Sequence, residues 1–182
     1  MSDSTAYQKL IHSPTELLQD RKEEQFLRFH LEPETKIMFP IEQVTEVLKI
    51  SVGKIVPIPQ MPSWVMGVYN WRGEILWIVD LGHLIGLNSW YQQEINNTDH
   101  TAVVLSYRSQ SDNSKKSQTS LGLIMTSVED IELCNPSLIQ SPPASAITSA
   151  LAPFLRGYWV KPDGQIILVL DGDAIINAMP QN

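Results

Sequence analysis

Apolar positions recur every second residue over 26–31, Phe26-Leu27-Arg28-Phe29-His30-Leu31, and residues two apart on a strand share a face. That stretch predicts a strand, and Glu32-Pro33-Glu34-Thr35 behind it predicts a turn. A second strand is predicted over 37–47. Its Pro40 offers no ladder donor and so belongs at an edge or a bulge. Three prolines in 57–62 exclude helix and central strand there and predict a stiff, extended connection. Strands follow at 64–69 and 74–79, joined by a turn at Asn70-Trp71-Arg72-Gly73, and Asp80 is placed to cap a short helical turn. Further strands are predicted at 101–107, 121–128, 129–133, 155–160 and 165–170, and a short helix over 171–179. Residues 108–120 hold no run of apolar side chains and predict a mobile hairpin loop, and 135–153 a connection. Residues 1–24 predict a tail with a short helix, Ser13 its cap, Pro14 its first residue and Glu16 its third. About nine or ten short strands with little helix predict an all-β fold of barrels or a sandwich.

The chain echoes itself. Gly73-Glu74-Ile75-Leu76-Trp77-Ile78-Val79-Asp80 returns as Gly164-Gln165-Ile166-Ile167-Leu168-Val169-Leu170-Asp171, with the same interval from glycine to aspartate. Apolar runs inside both copies predict burial on both strand faces. Two similar small barrels follow from this, each ending in one strand-to-helix device and resting on the other in one cooperative unit.

Composition narrows the function. In 182 residues, 43% are hydrophobic and 18% charged, which excludes a disordered chain. A net charge of -7 with only 13 Lys and Arg argues against a nucleic-acid binder, which needs dense positive charge to displace counterions. The single cysteine, Cys134, allows no internal disulfide and no multi-cysteine zinc site, and it suggests a reducing compartment. No apolar run approaches the about 20 residues of a membrane span, and Met1-Ser2-Asp3-Ser4 does not open a secretory signal, so a cytoplasmic protein without membrane insertion is expected.

A search for chemistry returns little. His12, His30, His83 and His100 form no metal-ligand spacing. No G-x-S-x-G or phosphate-binding loop occurs, and Cys134 is expected to be an inert thiol in a turn. Glu23-Glu24 and Glu129-Asp130 are adjacent, so on strands each pair points to opposite faces. No catalytic residue, metal or cofactor is expected. Trp77 reads as core. Trp71 beside Arg72 combines the residue types that dominate binding hot spots. Against that stands the plainer arrangement, Trp71 folded over its own barrel and Arg72 in an ordinary surface ion pair.

The segment Ile58-Pro59-x-x-Pro62-x-Trp64-Val65-x-Gly67-Val68-x-Asn70-Trp71-Arg72-Gly73-x-Ile75-x-x-x-Val79-Asp80-Leu81 resembles the signature of the CheW family of chemotaxis coupling proteins. Val44-Thr45-Glu46-Val47 resembles the family's V-x-E segment, and the likeness spans 25–178 as a single domain of two intertwined barrels, leaving 179–182 as a C-terminal end. The resemblance implies two five-stranded SH3-like barrels on a shared core. It implies a non-catalytic adaptor without cofactor, recruited to membrane receptor arrays. Its partners would be the cytoplasmic tip of methyl-accepting receptors and the regulatory domain of a CheA-like histidine kinase. Relatives serve chemotaxis, phototaxis or type IV pilus motility. By the same resemblance Arg72, Asn70, Gly67 and Trp71 are receptor or array contacts, and Val44 and Glu46 kinase contacts. Ile37-Met38-Phe39-Pro40 and Trp77 depart from the family pattern. The alternative function is a small β-barrel ligand-binding protein or enzyme subunit, with Ile37, Met38 and Phe39 lining a groove for an apolar molecule.

Overall fold

Alternation at the start of the chain becomes strand β1, Glu24–Leu31, which hydrogen-bonds to β2, Thr35–Pro40, on one side and to β8, Ser127–Cys134, on the other. These belong to a computed structural model that describes residues 23–31, 34–90, 99–108, 118–143, 145 and 147–180. The other strands are β3 Val44–Ser51, β4 Val65–Trp71, β5 Glu74–Asp80, β6 Asp99–Arg108, β7 Gln118–Met125, β9 Leu155–Val160 and β10 Ile166–Leu170. They form two five-stranded sheets, ordered β8-β1-β2-β10-β9 and β3-β6-β7-β5-β4. The short helices are α1, Leu81–Leu84, and α2, Gly172–Asn177. Among the described residues, no helix is long and apolar enough to cross a membrane.

The two sheets are one design used twice. In each, a hairpin (β4–β5 or β9–β10) is antiparallel, and its second strand then runs parallel to a third (β7 or β2). The echo falls on these second strands. Asp80 and Asp171 each cap the helix that follows, and each donates its own N–H to a carbonyl just before its hairpin, of Trp64 (2.9 Å) and Phe154 (2.8 Å). The first sheet is assembled from both ends of the chain. β1 and β2 complete the barrel that β8, β9 and β10 begin, whereas β3 to β7 are contiguous.

Three apolar clusters follow. Ile50, Leu76, Ile78, Ala102, Val104 and Ile124 fill the barrel of the second sheet. Phe26, Met38, Cys134, Trp159, Ile167 and Val169 fill that of the first. The largest cluster draws on both sheets and both helices, with Phe29, Phe39, Val79, Val103, Leu123, Leu170 and Ile175 among its members. Period-two alternation explains this division. On β2, β5, β6, β7 and β10 one face fills its own barrel and the other meets the neighbouring barrel, whereas the edge strand β3 turns Thr45, Val47 and Lys49 to water.

Several expectations change. The strand predicted over 37–47 is two strands. Pro40 ends β2, a 3-10 turn spans Ile41–Gln43, and β3 joins the other sheet. β2 is an interior strand, and Pro40 is tolerated because it stands at its end. The break between β7 and β8 falls at Thr126, whose N–H bonds the His30 carbonyl at 3.1 Å, and not after residue 128. Trp77 is half-buried against the shared cluster and not wholly interior. Cys134 is the last residue of β8, buried, and not in a turn. Ile37, Met38 and Phe39 are fully buried, so they line no open groove; Phe39 meets Phe29 edge-on with centroids 6.1 Å apart. The tail helix at 13–16 and the loop at 109–117 lie outside the described residues.

Candidate functional site: the β4–β5 hairpin tip

The hairpin is tighter than the four-residue turn predicted. Trp71 still pairs with Glu74, leaving Arg72 and Gly73 as the two-residue connection. Both carry positive φ, 56° and 86°, the pattern whose twist matches that of the flanking strands. Gly73 accepts this freely. Arg72 does so with its backbone in the left-handed region, which residues bearing a Cβ rarely adopt. The Asn70 side chain stabilises the turn by accepting from the Gly73 N–H at 3.0 Å. Asn70 itself is exposed.

Trp71 points back into the second barrel and packs against its internal cluster. Its indole N–H donates to Glu46 Oε2 at 3.1 Å. The Arg72 Nη2 donates to the same oxygen at 2.7 Å, and its guanidinium lies 5.2 Å from the centre of the Trp71 ring. The arginine side chain remains 68% exposed. One carboxylate oxygen therefore organises an aromatic anchor and a projecting cation. The plainer arrangement weighed for Trp71 and Arg72 is the one found. In that exposed setting the ion pair contributes about 0–1 kcal/mol and the ring contact about 0.5–1, so the cluster orients Arg72 more than it holds the fold.

Glu46 reaches this position because of a bulge. The register of β3 on β6 shifts between Val44 and Glu46, so these two residues leave opposite faces of the strand. Val44 goes to the shared core, half-buried. Thus Val44 and Glu46, grouped by the V-x-E segment, are separated, and Glu46 joins Trp71 and Arg72. Gly67 is also apart. It is buried, with φ of 138°, beneath the backbone of Val56 and Pro57.

The matching end of the first barrel carries a cluster that sequence reasoning missed. Arg28 pairs with Glu132 and, at 2.6 Å, with Glu129. Lys161, just past β9, reaches Glu132 at 2.8 Å, and Lys36 reaches Glu129 at 3.4 Å. Here too a residue at the hairpin end ties down a carboxylate on the bulged outer strand. The only signal was the Glu129–Glu132 acidic run, whose partners lie on other strands.

Other titratable groups are local. Asp80 is buried and spends both oxygens, on the N–H of His83 (3.1 Å) and of Trp90 (2.8 Å). His100 stands edge-on to Trp90 at 5.4 Å, and burial lowers its pKa despite the opposing pull of Asp80. Burial pushes the Cys134 thiol up to about 11. A thiol held protonated in this way is a poor nucleophile. Among the described residues, no group of three or more His, Cys, Asp or Glu is arranged to hold a metal.

Twin barrels on a common core, with a hairpin tip that presents a cation on an aromatic base, define a surface-presenting β module. The chain belongs to the CheW-like domain family, adaptors of chemotaxis-type signal transduction; the family's model matches residues 25–179. It is 40% identical over 63 residues to protein FrzA of Myxococcus xanthus, a match covering 35% of this chain and 38% of that protein. Its fold is similar to the scaffolding protein TtCheW from Thermoanaerobacter tengcongensis, with a TM-score of 0.64 and 23% identity over 82% of this chain and 89% of that one.

Proposed function

We propose that this protein is a non-catalytic adaptor that couples methyl-accepting receptors to a CheA-like histidine kinase. It would act in the cytoplasm, recruited to membrane receptor arrays by its contacts. Arg72, Asn70 and Trp71 form the receptor contact; Glu46, which borders that contact, and Val44, on the opposite side of β3, are the kinase contacts. The carrying observation is the hairpin tip, where a guanidinium is two-thirds exposed yet fixed by Glu46 and Trp71. A pre-positioned arginine over an aromatic base loses little freedom when a partner's carboxylate arrives. Coupling of this kind needs no bond making. Two patches of about 1,000 Å² or less, engaged together, combine moderate affinities through effective concentration. Receptor states that hold the adaptor differently would then bias the kinase.

The test uses the soluble cytoplasmic fragment of the methyl-accepting receptor encoded nearest to this chain's gene, and the regulatory domain of the neighbouring kinase. Arg72→Asp is expected to abolish receptor-fragment binding while leaving the melting temperature nearly unchanged. Full retention of binding overturns the receptor face. Glu46→Gln keeps an oxygen acceptor for both donors and removes only the charge. It should weaken kinase binding more than receptor binding, and equal effects by calorimetry overturn the two-face assignment. Val44→Ala should act in the same direction, with melting measured alongside because Val44 also packs in the shared core.

A further inference from the structure

Val56, Pro57 and Ile58 form an apolar strap along the outer edge of β4. Two backbone bonds seat it, Val56 N–H to the Val68 carbonyl at 2.8 Å and Val68 N–H to the Val56 carbonyl at 2.9 Å. Val56 is 59% exposed and Ile58 37%, and Pro57 and Pro59 are exposed with them. Prolines at 57 and 59 fix φ and stiffen the strap. Gln60 beyond them turns the chain with a left-handed φ of 63°. The strap thus presents two branched aliphatic side chains to water on a stiffened backbone.

Gly67 makes this arrangement possible. A Cβ at position 67 would fall on the Val56 carbonyl oxygen and lie 2.9 Å from the Pro57 Cα, both backbone atoms. The φ of 138° also disfavours any residue with a side chain. Gly67 is buried under the strap, so a partner docking on this surface meets the strap first. We infer that Gly67 is a positioning residue, and that the strap it seats, through Val56 and Ile58, is a second part of the footprint of the receptor tip. This rests on the adaptor function proposed above.

One partner reaches both parts. The strap is bonded at Val68 on the strand that delivers Arg72, four residues or roughly 13 Å further along. The surface that fits is a protein face with an apolar row to cover Val56 and Ile58 and a carboxylate to meet Arg72. The first barrel supplies an internal control. Gly157 sits under a comparable connection, where a Cβ would lie 2.6 Å from Ile139 Cγ2 and 2.7 Å from the Gln140 carbonyl oxygen. Gln140 and Tyr158 exchange the same pair of backbone bonds, at 2.8 and 2.9 Å.

The experiment titrates the receptor fragment named above into the wild-type full chain and into V56S/I58S, G67A, G157A and R72D, with melting curves for all. V56S/I58S and G67A are each expected to weaken binding by about tenfold, as loss of hot-spot contacts does. G157A should lower the melting temperature as G67A does, yet bind within about twofold of wild type, because its crowding falls on the other barrel. V56S/I58S changes only exposed side chains, so it decides the matter even if G67A fails to fold. Wild-type binding by V56S/I58S, with R72D still defective, overturns the strap alone. Equal loss in G157A and G67A overturns the positioning role, since general destabilisation then explains both. A wild-type chain that does not bind the fragment overturns the strap and the adaptor function together.

Discussion

Glu46 Oε2 accepts from two side chains that differ in burial, an indole anchored in the barrel and a guanidinium open to water. Such a group is poised to be read from outside at little cost in stability, which is why charge changes here should alter binding before they alter melting. Half-buried His100 and buried Cys134 instead tie stability to pH. His100 has its pKa lowered from 6.5 by burial, so the unfolded chain binds that proton more readily, and stability falls as pH drops below about 6.5. Cys134 has its pKa raised from 9.0 to about 11. The folded chain therefore holds the proton over that interval, and stability falls as pH climbs from about 9 toward 11. Urea midpoints measured against pH should decline on both sides, and C134A should flatten the alkaline limb only. An unchanged alkaline limb in that variant would show that the thiol does not govern it.

At the scale of elements, the repeated strand-to-helix device can be dissected by its caps. Asp171 accepts from the N–H groups of Asp173 and Ala174, while Asp80 accepts from His83 and from Trp90 beyond the helix. Asp171→Ala should cost about 1 kcal/mol, an ordinary cap loss. Asp80→Ala should cost more, about 2 kcal/mol or above, because two separate segments lose their acceptor in a buried place. Denaturant titration of both variants checks the order, and equal losses would refute it. This device was legible in the sequence because everything it needs is local: a turn glycine, an apolar run, and an aspartate at a fixed interval. The break between β2 and β3 was not, since 37–47 stays largely apolar across Pro40 and nothing nearby says that the chain changes sheets there. The Glu46–Trp71–Arg72 cluster was out of reach for a different reason. It joins residues 25 and 26 positions apart through a bulge at Thr45 that no glycine marks. Gly67 could be placed in a motif, but only the approach of Val56 tells what the absence of its side chain achieves.

For the whole molecule, the shared cluster sets the behaviour. Its side chains come from both sheets, so neither barrel can lose its partner without exposing a large apolar face. Scanning calorimetry should therefore show one transition with matching calorimetric and van't Hoff enthalpies. Phe29→Ala, at a fully buried member of that cluster, should cost about 3–5 kcal/mol and move the whole transition. Two resolved peaks would mean that the barrels melt separately.

The split origin of the first sheet carries over to how the protein is made. On a ribosome, β1 and β2 emerge well before β8 to β10, and their barrel-facing Phe26 and Met38 are covered only when those later strands arrive. At about 5–20 residues per second, that hairpin waits several seconds or more for β8 to β10, while the contiguous barrel β3 to β7 can close behind it. For that interval the nascent chain carries a sticky, half-finished sheet, and chaperones that recognise exposed aromatic strands are its natural guardians.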